Sequence, residues 1–157
     1  MCNCVCTLNC QIAFAISGIL SGLIAVVFFG SYYANFNATA WGGISGVLAA
    51  ATLALHLKWK NDSLSRYRSH LRNVMLFGCV SQLAGFCAMS TYLALALVEG
   101  QGLKQLYGEN YWIALVWGWM TWKWGFQIFW FARKYKGKYD AQALLKADNS
   151  GTSPLYT

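Results

Sequence analysis

Two side chains in this 157-residue chain stand inside long apolar stretches and are suited to chemistry there, His56 and Lys123. His56 closes the uncharged run 38–57, and its helical face continues back through Thr52, Ala49 and Ser45, all small or polar. Small residues let helices approach closely, so this face points at protein or a cavity rather than at lipid. An imidazole there acts as an interfacial hydrogen-bonder or as a ligand, and spacing alone fits both. Lys123 lies about 12 Å of helix before Phe131, too deep to snorkel easily. A lysine at that depth costs ~2.5–3.5 kcal/mol and calls for a partner or a cavity. Trp112, Trp119, Gln127 and Trp130 share its helical face. Such a stripe packs between helices or, with a cation among flat rings, suits a large planar anion. No nucleophile–base pair, phosphate loop or carboxylate dyad accompanies these residues. The five acids (Asp62, Glu99, Glu109, Asp140 and Asp148) all fall outside the apolar runs, which argues against hydrolytic chemistry within a membrane.

The elements that must position these groups follow from composition. The chain is 57% hydrophobic and only 11% charged, against about 25% charge in soluble domains. Four long runs stand out, at about 12–32, 38–57, 74–98 and 111–131. A membrane helix needs ~20 apolar residues, and in hydrocarbon the backbone must satisfy itself, so each run is expected to be a helix. The fold class expected is all-α, an integral membrane four-helix bundle. Lys58, Lys60, Arg66, Arg68 and Arg72 fill the connection between runs two and three, and Arg133, Lys134, Lys136, Lys138 and Lys146 follow run four. The other two connections carry little charge. The positive-inside rule then puts the middle loop and both termini in the cytosol. The net charge of +7 is accounted for by topology and anionic lipid, with no need for nucleic acid. Three regions result: a cytosolic Cys-rich N-terminus (1–11), a four-span domain (12–135) and a cytosolic tail (136–157).

Run one does not read as a cleaved signal peptide, because no positive charge precedes it and bulky residues follow its apolar core. Asn37-Ala38-Thr39 is a glycosylation sequon that lies against the membrane. Cys2, Cys4, Cys6 and Cys10 crowd the N-terminus without the paired spacing of zinc sites. A reducing compartment disfavours disulfides there; S-acylation near the membrane, a soft-ligand thiolate or no role are the readings that remain. Cys79 and Cys87 read as small packing residues.

Phe131-Ala132-Arg133-Lys134-Tyr135 resembles the signature of the HRG (heme-responsive gene) family of small haem transporters. In matching order, residues 39–49 (Thr-Ala-Trp-Gly-Gly-Ile-Ser-Gly-Val-Leu-Ala), the histidine ending run two and Trp122-Lys123-Trp124 resemble family patterns too. The resemblance covers about residues 12 to 145. It implies a protein that carries haem across a membrane toward the cytosol. His56 then matches the haem-ligand position of span two, and Phe131 to Tyr135 match a tail motif for haem handling. Family members often carry a histidine between spans three and four, and residues 99–110 contain none. Tyr107 or Tyr111 would substitute, since tyrosine ligates haem iron, or the outer capture step differs here.

Haem needs an axial ligand, flat apolar contacts and cations for its propionates. His56 and Tyr135 offer the first, Trp119, Trp130 and Phe131 the second, and Lys123, Arg133 and Lys134 the third; iron would enter only as haem. The route expected passes Tyr32, Tyr33, Trp41 and Tyr111. Asp140, Leu144 and Leu145 have the spacing of an acidic dileucine signal read by sorting adaptors, which implies endosomal, lysosomal and plasma membranes. A homo-oligomer is expected, because four helices make a narrow bundle. Two other classes stay open: a non-catalytic tetraspan scaffold in which His56 and Lys123 only tie helices together, and a membrane enzyme such as one conjugating glutathione, which would want more inward cations than Lys123.

Overall fold

The computed structural model describes residues 8–61, 63–102 and 107–149. Four helices account for most of them: α1 (Leu8–Val27), α2 (Phe36–Lys60), α3 (Leu71–Val98) and α4 (Tyr111–Asn149). A π-helical turn, Phe28–Tyr32, prolongs α1, and a 3-10 segment, Ser63–His70, leads into α3. Leu8–Tyr32, Phe36–Lys60 and Arg66–Val98 are long and apolar enough to cross a membrane. The stretch 111–131 folds as a helix as expected, but it is the least apolar of the four by hydropathy. Its six tryptophans, two glycines and Lys123 supply bulk and polarity instead of aliphatic surface. The helix also runs on through the basic tail to Asn149, 39 residues in all, or about 58 Å at ~1.5 Å per residue. That is nearly twice the ~30 Å of a hydrocarbon core.

The last helix in sequence is an inner one in space. Among the described residues, α1 packs on α2, α2 on α4, and α4 on α3, while α2 and α3 do not meet closely. Glycine makes the contacts possible. A Cβ on Gly78 would sit 2.6 Å from the backbone nitrogen of Phe129, one on Gly85 2.7 Å from Cα of Trp122, and one on Gly125 2.9 Å from Cα of Gln82. The α3 and α4 backbones therefore touch at levels seven residues apart. Gly22 meets Gly46 between α1 and α2 in the same way, and Gly18 makes room for the Trp124 ring. Trp124 joins Ala15, Leu48, Ala49 and Ile128 in one core cluster; Leu55, Leu64, Leu71, Ala132 and Tyr135 form the other.

One pole is closed by polar side chains. Asn35 is fully buried; it caps α2 by accepting from the Ala38 N–H and donates to the Asn110 carbonyl. The Glu109 carboxylate accepts from the Phe36 N–H and from the Asn37 side chain, and the Tyr92 hydroxyl donates to the other Asn37 amide atom. The Gly108 N–H reaches the Tyr33 carbonyl. This clasp fastens the α1–α2 turn to the segment before α4, and it occupies both polar atoms of the sequon residue Asn37. The opposite, basic pole carries Lys58, Lys60, the 3-10 segment and the tail of α4.

Gly85→Ala should lower stability by ~1–3 kcal/mol through overpacking against backbone. Gly137→Ala, which meets nothing within 4 Å, should leave stability unchanged or raise it by up to ~1 kcal/mol. Asn35→Ala should cost about 0.5–2 kcal/mol from the lost cap, with more from the lost bond to the Asn110 carbonyl. Thermal melting in detergent measures all three.

Candidate functional site

The interior ligand candidates meet near the basic pole. His56 is 1% exposed. Its Nδ1 lies 2.8 Å from the Tyr135 hydroxyl, a hydrogen bond that spans 79 residues of sequence and that either tautomer can make. Its ring meets Phe131 edge-on at 4.5 Å. Nε2 is buried and has no hydrogen-bond partner among the described residues. A buried polar atom without a hydrogen bond costs ~1–3 kcal/mol, and metal-ligating histidines characteristically hold one nitrogen in a hydrogen bond and offer the other. Trp59 stacks on Tyr135 at 4.4 Å with the planes 6° apart, which holds the phenol in place. Lys138 lies over Trp59, 5.1 Å from the ring centre. Sequence reasoning missed Trp59; its position one helical turn after His56 was the available signal.

The helical twist divides the pentapeptide 131–135. Phe131 and Tyr135 turn inward with Ala132, while Arg133 and Lys134 are exposed. Trp130, 53% exposed, borders a shallow outer hollow with Arg133, Lys134 and Gly137. Trp122, Phe126 and Trp130 stack one upon the next up that outer face, at 6.2 and 5.9 Å. Trp119 is also outward, 46% exposed. So two of the three expected stacking residues, with the two tail cations, lie outside the helix layer, and Phe131 alone of the three touches His56.

Lys123 reaches toward α1 rather than along its tryptophan stripe. Its ammonium lies 4.6 Å from the centre of the Phe14 ring and 4.2 Å from that of Trp124, which are cation–π contacts. Phe14, Phe131, Gln127, Gln11 and Cys10 line a hollow of about 290 Å³ between α1 and α4. Phe131 thus touches both this hollow and His56, and Phe14 touches both the hollow and Lys123. Cys10 has an exposed free thiol; Cys2, Cys4 and Cys6 lie outside the described residues.

A second hollow, about 500 Å³, opens near the clasp between α2 and α3, with Trp41, Tyr92, Tyr111 and Cys87 on its walls. Tyr111 stacks on Tyr92 at 6.0 Å, and the Trp41 indole donates to the Tyr92 hydroxyl. Tyr107 is 73% exposed and leans on Tyr33 at 5.4 Å, and Tyr32 is exposed. These aromatic groups belong to the clasp pole, far along the helices from His56. Cys79 and Cys87, expected between helices, are exposed instead, because Gly78 and Gly85 take the α3 face that meets α4. In the tail, Asp140 pairs with Arg68, and Leu144 and Leu145 are about two-thirds exposed on the helix.

The chain matches, over residues 71–124, the model of the family described as haem-transporter, endosomal/lysosomal, haem-responsive gene. It is 35% identical over 145 residues to heme transporter hrg-1 of Caenorhabditis elegans, covering 90% of this chain and 75% of that protein. It is 27% identical over 158 residues to heme transporter hrg-4 of the same organism, covering 87% and 85% of the two chains. Heme transporter hrg-6, also from Caenorhabditis elegans, is 28% identical over 135 residues, covering 83% of each. No solved structure matches. A relative this similar, aligned over nearly the whole chain, leaves one conclusion: this chain belongs to the HRG family of haem transporters.

Proposed function

We propose that this chain moves haem from an outer or endolysosomal lumen to the cytosol, using His56 as the iron ligand at mid-route. The buried Nε2 carries this reading. It is a nitrogen with no partner among the described residues, on a ring already held from the other side by Tyr135. A scaffold gains nothing from leaving that atom unpaired, whereas an iron ligand requires it free. Tyr135 then acts as the positioning partner of His56, with Trp59 behind it.

The hollow between α1 and α4 supplies the rest of the inner station. Phe131 offers a ring face to the macrocycle and, by turning, opens His56 to it. Lys123, held over Phe14 behind the lining of that hollow, serves as a counter-charge for a propionate. Burial among aromatic rings strengthens that attraction, since the local dielectric is low. Tyr111, Tyr92 and Trp41 provide the aromatic surface for capture at the clasp pole, with Tyr107 at its outer edge. Arg133 and Lys134, on the outer face beside Trp130, receive propionates at release, where arginine binds a carboxylate through two hydrogen bonds.

In this reading all four helices span the bilayer, with the basic pole and both termini in the cytosol. The polarity of α4 is tolerated because α2 and α3 flank it. Assembly as a homo-oligomer would shelter the outward ladder Trp122–Phe126–Trp130, and adaptors would read Asp140, Leu144 and Leu145 from the tail helix. The chain is then a carrier rather than an enzyme, resident in endosomal, lysosomal or plasma membranes.

Purified protein titrated with ferric haem should shift the Soret band. His56→Ala should remove the part of the shift that comes from haem at His56, and Tyr135→Phe should weaken binding there about 10–100-fold, the usual effect of losing a ligand's outer hydrogen bond. An unchanged shift in His56→Ala would remove His56 from the route. In cells dependent on supplied haem, Arg133→Ala with Lys134→Ala should impair growth at limiting haem while leaving the His56 spectral shift intact, because the two cations sit on the opposite face. Growth equal to wild type would remove their role in release.

A further inference from the structure

A cavity of about 320 Å³ lies at the basic pole between α2, the 3-10 segment and α3. Its walls are apolar: Ala54, Leu55, Leu64, Val74 and Phe77 among them, with Ile128 of α4 as floor. Its mouth is not. Lys58, Tyr67 and His70 border it, and the Lys58 ammonium is fixed 3.8 Å above the centre of the Tyr67 ring. His70 precedes α3 as its cap residue, yet its side chain makes no capping hydrogen bond. Its ring lies 6.4 Å from that of Tyr67.

This cavity is distinct from the His56 centre. Leu55 lines it, while the neighbouring His56 turns to Phe131 and Tyr135. Consecutive residues of a helix point about 100° apart, so the two places lie on different sides of α2. The cavity does share its side with the aromatic hollow near the clasp. On α2, positions 37 and 41 of the outer hollow and 51, 55 and 58 of the inner cavity fall within one broad face, and on α3 positions 74 and 77 align with 84, 88, 91 and 95.

We propose that this cavity is a second haem site, on the exit side, with His70 as the iron ligand and Lys58 as the propionate partner. The proposal rests on the haem-transport reading above. Binding hollows for small molecules start at ~300 Å³, so the cavity takes the apolar edge of a macrocycle and leaves the propionates at the mouth. Lys58 stands there, and Arg66, Arg68 and Arg72 belong to the same basic stretch. An anionic lipid would use the charge and the apolar walls but not the imidazole; the presence of His70 beside an apolar slot is what favours an iron macrocycle. A weakly held, exposed ligand suits a station from which cargo leaves.

The test is a titration of the full chain in phosphatidylcholine nanodiscs with ferric haem, following stoichiometry and the Soret band. Wild type should bind two equivalents. His70→Ala, and separately Ala54→Trp to fill the cavity, should each remove one equivalent and leave the one that His56→Ala removes. Lys58→Ala should weaken haem at this site but not its dimethyl ester. A single equivalent lost with His56→Ala and untouched by His70→Ala would overturn this site and leave the transport reading standing. So would a second equivalent that survives both cavity variants, or one that phosphatidylglycerol in the disc displaces. Wild type that binds no haem would overturn the transport reading and this site together.

Discussion

Hydrocarbon offers a polar atom nothing to bond with, so a polar group inside this bundle is costly unless another part of the chain answers it. Asn35, Asn37, Glu109 and Tyr92 answer one another at the clasp pole. Thr52 is satisfied within its own helix by the Leu48 carbonyl. Lys123 is met by ring faces. His56 is answered on one side only. Among the described residues the Ser45 hydroxyl and the Trp124 indole N–H are also buried without a hydrogen bond; His56 differs from them in that its ring is held from the other side by Tyr135 and its free nitrogen is of a kind that ligates haem iron, which is what the proposed role rests on.

The order of the helices follows from close approach. Only glycine brings α4 near enough to α3 for their backbones to touch, and Gly18 and Gly22 let α1 fold against α2 and receive Trp124. With α4 held between α2 and α3, one of its faces meets His56 while the other is left outside. The pentapeptide 131–135 therefore serves two surfaces at once: Phe131 and Tyr135 build the interior centre, and Arg133 and Lys134 mark the exterior. Hollows form where α4 cannot fill the space alone, between α1 and α4 and between α2 and α3.

The apolar runs were legible because a spanning helix must be long and nearly uncharged; α1, α2 and α3 follow them closely. The tail was not. Residues 136–149 carry five lysine and aspartate side chains and read as a solvated segment, yet they continue α4, since no proline or glycine pair stops it and Arg68 pairs with Asp140. His56 was legible as a residue facing protein, from the small residues behind it. Its partner was not, because Tyr135 lies 79 residues away and nothing local links the two. The shared face of Lys123 with Trp119 and Trp130 was legible too, but not where it points, because helical periodicity fixes which residues lie together and says nothing about what they face. Gly78, Gly85 and Gly125 were overlooked for a similar reason: a spacing of seven is less conspicuous than the four-residue pairs of α1 and α2.

The central claim is that haem crosses with the chain's help and by way of His56. Vesicles reconstituted with the protein, carrying a trapped haem-binding apoprotein and given haem outside, measure this directly. The account predicts haem arriving in the trapped acceptor well above the rate of protein-free vesicles, with His56→Ala reduced to that background. Flux in the wild type no faster than through bare lipid, or equal flux in His56→Ala, would contradict it.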